Sequence, residues 1–202
     1  MNLRDIAAVD SDSEVTGFAI DHRKVARGSV FGAFRGAVFN GEDFIGQAVD
    51  RGAVAVVARP EAEVERVPLL SDPEPRRLFA ELAAKFYAPY PETVVAVTGT
   101  NGKTSTVEMT RQIWRMLGHR SASIGTLGVT TSDDQVKTGL TTPDIVTFLS
   151  NMAGLKRMGM THVAYEASSH GLDQHRAEGV PLAAAAFTNF SRDHLDYHGT
   201  MA

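Results

Sequence analysis

Short apolar runs alternate with amphipathic stretches through the first ninety residues. The runs FAI (18–20), VFGAF (30–34) and AVAVVA (53–58) have the length and composition of short buried strands. Apolar residues recur at helical spacing over residues 44–49 and again over residues 78–86. The alternation of strands and helices predicts a small α/β domain.

A second pattern of the same kind follows a stretch that contains two prolines, APYPETV (88–94). The prolines and the change in composition predict a linker with a domain boundary near Pro91. Beyond it, VVAVTG, SASIG, THVAYEA and LAAAAFTNF are typical of buried strands, and a helix is predicted from Pro143 to Met158. This alternation favours a mostly parallel sheet covered on both faces. Two α/β domains are therefore predicted, residues 1–90 and 91–202.

Composition and charge narrow the range of partners. The chain has 202 residues, a formal net charge of -4 and no lysine or arginine run that would follow a phosphate backbone, so no nucleic-acid partner is expected. The absence of cysteine excludes disulfides and thiolate metal sites. The amino terminus lacks the positive start of a signal peptide, and every apolar run is shorter than the ~20 residues of a membrane-spanning helix. We expect a soluble cytoplasmic protein with no membrane partner.

The strongest chemical signal is TGTNGKTS (98–105), placed where a predicted strand meets a predicted helix. Small residues let backbone N–H groups approach phosphate oxygens, and the helix N-terminus favours negative charge. Lys103 supplies a charge to the terminal phosphates, and Thr104 offers a hydroxyl to Mg²⁺. Val97 stands where the usual phosphate loop has its first glycine, so Gly99 takes over the turn.

An ordinary glycine-rich turn with an exposed lysine is the alternative to a phosphate loop. The strand before the motif and the helix after it favour binding of ATP or GTP. The predicted nucleotide-binding residues are consecutive: Gly99, Thr100, Asn101, Gly102, Lys103, Thr104 and Ser105.

Two further features suggest metal chemistry. Glu166 ends a predicted buried strand, where a carboxylate can reach a Mg²⁺ ion held by the phosphate loop, although a solvated or helix-capping acid is the simpler alternative. Four histidines lie close in sequence, at 170, 175, 194 and 198. Their spacing fits no standard zinc finger, so we do not expect zinc.

Four ordered motifs resemble the Mur ligases, the ATP-dependent ligases of bacterial cell-wall synthesis. They are TGTNGKTS, LTTPD (140–144), YEASSHGLDQHR (165–176) and FTNFSRDHLDYHGTM (187–201). Residues 20–57 also resemble the UDP-sugar-binding domain of that family, so the resemblance covers essentially the whole chain. Among the members, the sequence looks most like those that add the third residue of the peptide.

The resemblance implies a fold and a set of functional residues. The fold is a small N-terminal α/β UDP-sugar-binding domain, followed by an incomplete P-loop ATPase domain with a mostly parallel sheet. Lys103, Glu166 and His194 would be catalytic, and Thr104, Glu166 and His194 would hold Mg²⁺. The implied substrate contacts are Ile20, His22, Ala37, Val38, Phe39, Thr141, Thr142, Ser168, Gln174 and Arg176. His22 stands where the family commonly has serine, and Leu140 where it commonly has asparagine.

The implied reaction joins a diamino acid, meso-diaminopimelate or L-lysine, to UDP-N-acetylmuramoyl-L-alanyl-D-glutamate through an acyl phosphate, with ATP as co-substrate. We expect a truncated, monomeric chain that is inactive alone, because it stops before the family's carbamylated lysine and third domain. A folylpolyglutamate-synthetase-like ligase and a non-catalytic nucleotide-binding module remain open alternatives.

Overall fold

The computed structural model describes residues 1–36, 39–136 and 139–200. The chain divides into two compact units, Met1–Ala88 and Pro89–Ala202, so the division falls close to the expected linker. In the described residues, no helix has the length and apolar character needed to cross a membrane.

The first unit contains a four-stranded parallel sheet in the order β1-β2-β3-β4. Its elements are α1 (Leu3–Ile6), β1 (Gly17–Ala19), β2 (Ser29–Gly32), α2 (Ile45–Asp50), β3 (Ala53–Ala58), β4 (Leu69–Ser71) and α3 (Pro75–Tyr87), with short 3₁₀ turns at His22–Lys24 and Gly41–Phe44. Sequence reasoning missed β4 and α1, which are too short to show a period.

Strand β3 is the centre of this unit. Val56 and Ala58 belong to a buried cluster with Phe31 and Ala48, while Val57 between them is buried as well. Burial of successive residues means that both faces of the strand are covered, which is typical of parallel sheets. The sequence AVAVVA (53–58) is apolar at every position because both faces of the strand are buried.

The second unit contains a six-stranded sheet in the order β10-β5-β9-β6-β7-β8. Its strands are β5 (Thr93–Thr98), β6 (Ser121–Gly125), β7 (Gly128–Thr130), β8 (Gln135–Val136), β9 (His162–Glu166) and β10 (Ala184–Phe187). Its helices are α4 (Lys103–Met116), α5 (Ile145–Arg157), α6 (Ser169–Asp173) and α7 (Leu195–His198). The first four strands in the spatial order pair in parallel and β6-β7-β8 pair antiparallel, so the prediction of a mostly parallel sheet is confirmed.

Helices cover β9 on both faces. Ala164 packs in a buried cluster with Val107 of α4, whereas the ring of Tyr165 lies 4.9 Å from that of Phe148 of α5. Neighbouring strand residues point to opposite faces, so α4 and α5 lie on opposite sides of the sheet. Burial of the Tyr165 hydroxyl raises its pKa to about 12.

Two details of the second unit differ from the sequence predictions. The prediction of a buried strand over LAAAAFTNF was wrong about burial, because among the described residues β10 pairs only with β5 at the edge of the sheet, and its residues are mostly exposed. Helix α5 begins at Ile145, and its N-cap is Asp144, whose carboxylate accepts bonds from the N–H groups of Val146 and Thr147. The helix thus begins two residues after Pro143, the predicted start.

Candidate active site

The phosphate loop joins the end of β5 to the start of α4. Gly102 is the N-cap of α4 and has a left-handed backbone (φ 84°), a conformation that glycine adopts without strain. Lys103 is the first helical residue. The loop thus presents the N-terminus of a fourteen-residue helix, where backbone N–H groups favour an anion.

The ammonium group of Lys103 lies over the loop itself. Its Nζ donates to the carbonyl oxygens of Gly99 at 2.6 Å and Thr100 at 3.0 Å. These acceptors are neutral, and in the described residues no carboxylate forms an ion pair with Lys103, so an anion at the loop would meet an uncompensated charge.

The segment that follows β10 forms hydrogen bonds to the phosphate loop at Asn101. Oδ1 of Asn189 accepts a bond from the Asn101 N–H at 3.1 Å, and Nδ2 of Asn189 donates to the Asn101 carbonyl at 2.9 Å. Thr188 also donates to that carbonyl, at 2.7 Å. A Cβ atom at Gly99 would lie 2.2 Å from Thr188 Oγ1, so this close approach requires glycine.

Glu166 lies at the carboxyl end of β9 and is only 2% exposed. Its Oε2 accepts a bond from the Thr104 hydroxyl at 2.9 Å and from the Thr126 hydroxyl at 3.3 Å, while Oε1 accepts from the Thr126 N–H at 2.8 Å. Gly125 makes room for this carboxylate, because a Cβ there would lie 2.1 Å from Oε1.

The surroundings of Glu166 suit a divalent cation. All its hydrogen-bond donors in the described chain are neutral, and no lysine, arginine or histidine there forms an ion pair with it. A buried carboxylate is costly unless a charge or a metal compensates it. A carboxylate and a hydroxyl beside a phosphate loop are oxygen ligands of the kind that Mg²⁺ prefers. Glu166 and Thr104 therefore fit the predicted metal.

His194 lies apart from this pair in the hydrogen-bond network. It precedes α7 with a left-handed backbone and lines a cavity of about 330 Å³ together with Thr100, Lys103 and Ser168. No hydrogen bond to Glu166 or Thr104 is formed by His194 in the described chain. Within that part of the chain, no three histidine or acidic side chains are grouped as a metal site. The structure thus brings together two of the three predicted metal residues.

Histidines also surround His170. Its ring lies 4.6 Å from that of His194 and 5.5 Å from that of His198. Burial lowers the pKa of His170, and the two neighbouring imidazoles lower it further. The neutral imidazole is therefore favoured at this position.

The predicted substrate residues of the second unit form one hydrogen-bonded group. Thr142 Oγ1 donates to the Glu166 carbonyl at 2.9 Å and accepts from the Ser168 N–H at 2.9 Å. Arg176 donates to the Thr142 carbonyl at 3.2 Å and to Oε1 of Gln174 at 2.7 Å. A neighbouring hydroxyl pair, Thr126 and Thr141 at 3.0 Å, connects this group with the carboxylate of Glu166.

A second cavity, of about 500 Å³, lies in the first unit. Ile20, His22 and Phe39 line it, as do Phe34, Phe44, Arg23 and Arg76. The His22 ring stacks on Phe44 at 4.3 Å and 2° between planes. Ala37 and Val38, the other predicted contacts of this unit, lie outside the described residues.

Charged groups lie at the rim of this cavity. The guanidinium of Arg76 lies 4.8 Å above the Phe34 ring. Arg23 donates to Asp21, and that hydrogen bond holds the pKa of Asp21 at about 2. The cavity therefore combines aromatic rings with the Arg76 guanidinium and with an Arg23–Asp21 ion pair, in which the two charges compensate each other.

Sequence reasoning missed several residues of these sites. Thr126 lies in the turn between β6 and β7, and Thr188 and Asn189 lie in the loop after β10, where apolar periodicity carries no information. Arg76 is in the first turn of α3, where a solvated arginine is the ordinary expectation. The one local signal in the sequence was Gly125, directly before Thr126, because a glycine can mark a place where another side chain comes close to the backbone.

Comparison with known proteins covers both units. Residues 97–202 match the family described as "Mur ligase middle domain", and residues 14–87 match "Mur ligase family, catalytic domain". A UDP-N-acetylmuramoyl-L-alanyl-D-glutamate–2,6-diaminopimelate ligase of Zymomonas mobilis is 59% identical over 95% of this chain and 40% of its own length. The ligase of the same name from Bradyrhizobium diazoefficiens is 47% identical over 100% of this chain and 43% of its own.

Solved structures agree with these matches. A structure of a UDP-N-acetylmuramoyl-L-alanyl-D-glutamate–2,6-diaminopimelate ligase superposes with a TM-score of 0.85 at 30% identity, over 100% of this chain and 42% of that one. The MurF ligase of Thermotoga maritima in complex with ADP has a TM-score of 0.59 at 22% identity, over 94% of this chain and 40% of its own, a likeness of fold alone. The chain spans about two fifths of the length of the curated relatives named above.

Proposed function

The chain belongs to the Mur ligase family, and from that premise we propose that it supplies the nucleotide-sugar-binding and ATP-binding parts of a peptidoglycan ligase. The whole enzyme joins 2,6-diaminopimelate to UDP-N-acetylmuramoyl-L-alanyl-D-glutamate with ATP as co-substrate. The names of the relatives favour 2,6-diaminopimelate over L-lysine as the amine. The reaction belongs to cell-wall synthesis, and the precursor it consumes points to the cytoplasm.

The buried pair of Glu166 and Thr104 carries this proposal. A phosphate loop alone is compatible with many nucleotide-binding proteins. The hydrogen bond from the first turn of α4 to a buried, otherwise uncompensated carboxylate adds a place for Mg²⁺ beside the terminal phosphates. Thr142, Ser168 and Arg176 join the same network, so acceptor-substrate groups and nucleotide groups share one site.

The proposed chemistry forms an amide in two steps. A carboxylate oxygen of the D-glutamyl residue attacks the γ-phosphorus of ATP, the bond to the bridging β,γ-oxygen breaks, and ADP leaves. The amine of the diamino acid then attacks the acyl carbon, phosphate leaves with the electron pair of the C–O bond, and the amine loses a proton.

The residues of this chain act on the first step. Lys103 and the loop N–H groups hold the negative phosphates, and Arg176 holds an acidic group of the acceptor. Mg²⁺, when bound by Glu166 and Thr104, neutralises phosphate charge, and we propose that His194 contributes to the same centre from the cavity that it shares with Lys103. Orientation of two anionic reactants is the main contribution of the protein.

The first-unit cavity supports a role in binding the UDP part. Stacked aromatic groups at His22 and Phe44 suit a planar base, and the guanidinium of Arg76 suits a diphosphate. We therefore assign residues 1–90 to binding of the UDP-muramoyl group and residues 91–202 to part of the ATP-binding domain.

Ligand-detected NMR on residues 1–202 tests the proposal. We expect saturation transfer to the uracil, muramoyl and glutamyl protons of UDP-N-acetylmuramoyl-L-alanyl-D-glutamate. Arg76→Gln should weaken contacts to the nucleotide part, and Arg51→Gln, a change of an exposed residue outside the cavity, serves as the matched control. An equal response to a folate would favour the folylpolyglutamate alternative. Binding of ATP without any muramoyl nucleotide would favour a non-catalytic nucleotide-binding module.

A further inference from the structure

The hydroxyl of Tyr197, on α7, lies between two neighbouring side chains at the end of α6. It donates to Oδ2 of Asp173 at 2.6 Å and accepts from Nε2 of Gln174 at 2.9 Å. The carboxylate can only accept, so it takes the phenol proton, and the phenol oxygen is left to accept from the amide. Both hydrogen-bonding roles of the hydroxyl are thereby used. The Tyr197 ring packs on His170 with centroids 4.1 Å apart, which fixes where the hydroxyl points.

The amide of Gln174 has a single orientation that satisfies its neighbours. Its Oε1 accepts two bonds from Arg176, from Nε at 3.1 Å and from Nη2 at 2.7 Å. A guanidinium can only donate, so the oxygen must face Arg176 and the NH₂ group must face Tyr197. If the bond to Tyr197 is lost, only the two bonds from Arg176 hold the amide in this orientation, and the amide and the guanidinium can move together.

The guanidinium of Arg176 is held but not neutralised. Besides Gln174, it donates to the Thr142 carbonyl at 3.2 Å. In the described parts of the chain it forms no ion pair with a carboxylate. Two of its five N–H groups therefore stay available, on a side chain whose plane is set by neutral acceptors. A fixed, uncompensated fork of this kind matches a carboxylate ligand.

We propose that Tyr197 is a positioning residue that acts through Gln174 to orient Arg176 towards a carboxylate of the peptide part of the substrate. The inference rests on the proposed function for the identity of that carboxylate. The contacts themselves form a chain from Asp173 through Tyr197, Gln174 and Arg176 to Thr142. Loss of the Tyr197 hydroxyl would leave the charge of Arg176 unchanged, but the guanidinium would no longer be held in one orientation.

Calorimetry on Tyr197→Phe tests the effect on binding. We expect affinity for UDP-N-acetylmuramoyl-L-alanyl-D-glutamate to fall about three- to tenfold, the range for one net hydrogen bond, and affinity for ATP to stay unchanged. The same nucleotide with its glutamyl carboxylates converted to amides should bind wild type and variant equally. Asp196→Asn, on the same helix, is the matched control. An equal loss for the acid and the amide, or a loss for ATP as well, overturns the inference in favour of a general structural role.

A double-mutant cycle separates action through Arg176 from independent action. In an Arg176→Gln background, Tyr197→Phe should cost less than twofold in affinity, because the group that it positions is already gone. Full additivity of the two losses would contradict the proposal.

A measurement without ligand separates this inference from the proposed function. In ¹⁵N spectra, the Nε–H of Arg176 should exchange with solvent at least fivefold faster in Tyr197→Phe than in wild type or Asp196→Asn. Unchanged exchange overturns the positioning role whatever the chain binds. Faster exchange in a chain that binds no muramoyl nucleotide would overturn the proposed function and leave the positioning role standing. If Tyr197→Phe melts below the assay temperature, Asp173→Ala, which removes the acceptor of the Tyr197 hydroxyl and keeps both Gln174 and Arg176, should give the same faster exchange.

Discussion

The hydroxyl of Thr104 donates a hydrogen bond of 2.9 Å to Oε2 of Glu166, which lies 62 positions further along the chain. The bond joins the first turn of α4 to the carboxyl end of β9. It exists because β5 and β9 are neighbouring parallel strands, so the loop after β5 and the last residue of β9 meet at one edge of the sheet. The phosphate loop and the proposed metal ligand are thus placed by the same pair of strands.

Glu166→Gln is expected to weaken metal binding without loss of stability. The amide keeps an oxygen for the Thr126 N–H but removes a buried charge that has only neutral partners in the described chain. We expect Mn²⁺ affinity in the presence of ATP to fall at least tenfold, and the thermal midpoint to stay the same or rise. Electron paramagnetic resonance of Mn²⁺ and thermal melts measure the two effects.

Glu92→Gln is the control for this prediction, because Glu92 is an exposed partner of Lys156 at the start of β5. It should leave Mn²⁺ affinity as in wild type. A strong fall in the midpoint of Glu166→Gln, with metal affinity retained, would mean that the carboxylate serves the fold and not the ion.

Gly125→Ala should disable the same site by steric displacement. The new Cβ would lie 2.1 Å from Glu166 Oε1 and 2.7 Å from its Cδ, so the carboxylate must leave the position in which it accepts from Thr104 and Thr126. We expect a loss of Mn²⁺ affinity similar to that of Glu166→Gln, together with lower stability, since overpacking costs about 1–3 kcal/mol. Denaturant titration and Mn²⁺ binding check both parts.

Gly154→Ala is the matched glycine change in the same unit. It lies within α5, and its Cβ would meet only a side-chain atom of Arg157 at 3.9 Å. Alanine in a helix interior should raise the free energy of unfolding by about 0.5–1 kcal/mol and leave metal binding intact. Equal behaviour of the two variants would show that space at Gly125 does not control Glu166.

Lys103→Ala should weaken ATP binding by more than tenfold, equivalent to roughly 1.4 kcal/mol or more. The side chain carries an uncompensated charge over the loop, where it donates to the carbonyls of Gly99 and Thr100. Calorimetry with ATP and Mg²⁺ provides the measurement, and Lys85→Ala in the first unit is the control. Unchanged ATP affinity in Lys103→Ala would refute the phosphate-loop assignment.

Sequence reasoning worked best where function coincides with a regular pattern. The predicted phosphate loop lies where the sequence placed it, between the strand β5 and the helix α4, and Glu166 ends the strand β9 as expected. The functions of these residues stay predictions. Thr126 was missed because it gains its role only when β6 pairs with β9, a contact between residues far apart in sequence. Such pairing leaves no trace in local periodicity.

The errors have equally local causes. The helix was predicted to begin at Pro143, yet Asp144 accepts the first helical N–H bonds, and the Thr142 hydroxyl is occupied by Glu166 and Ser168. The apolar composition of β10 predicted burial, but composition does not say which strand lies at the sheet edge.

Acidification should destabilise the second unit through His162 before its carboxylates titrate. Burial lowers the pKa of His162, and the neighbouring His119, stacked at 4.1 Å, lowers it further, although Glu92 opposes the effect. Trp114 packs against the same ring at 5.1 Å, and Thr161 hydrogen-bonds to its Nδ1 at 2.8 Å.

The direction of the change in stability with pH follows from the number of protons that the folded and the unfolded chain bind. The unfolded histidine has a pKa near 6.5, above that of the folded state, so below this pH the unfolded chain binds more protons. The stabilisation is fully present above about pH 6.5 and is lost progressively as the pH falls through the lower folded pKa. We expect the free energy of unfolding to decrease between about pH 7 and about pH 5. Carboxylates titrate below this range: the ordinary pKa of a glutamate such as Glu108 is 4.5, and the hydrogen bond from Arg111 lowers the pKa of Glu108 further. His162→Gln should reduce this dependence and leave the part that comes from His170, whose pKa is also lowered, and His119→Gln should reduce the His162 part. Urea titrations at a series of pH values measure the slope, and a wild-type slope in His162→Gln would rule out this residue as its source.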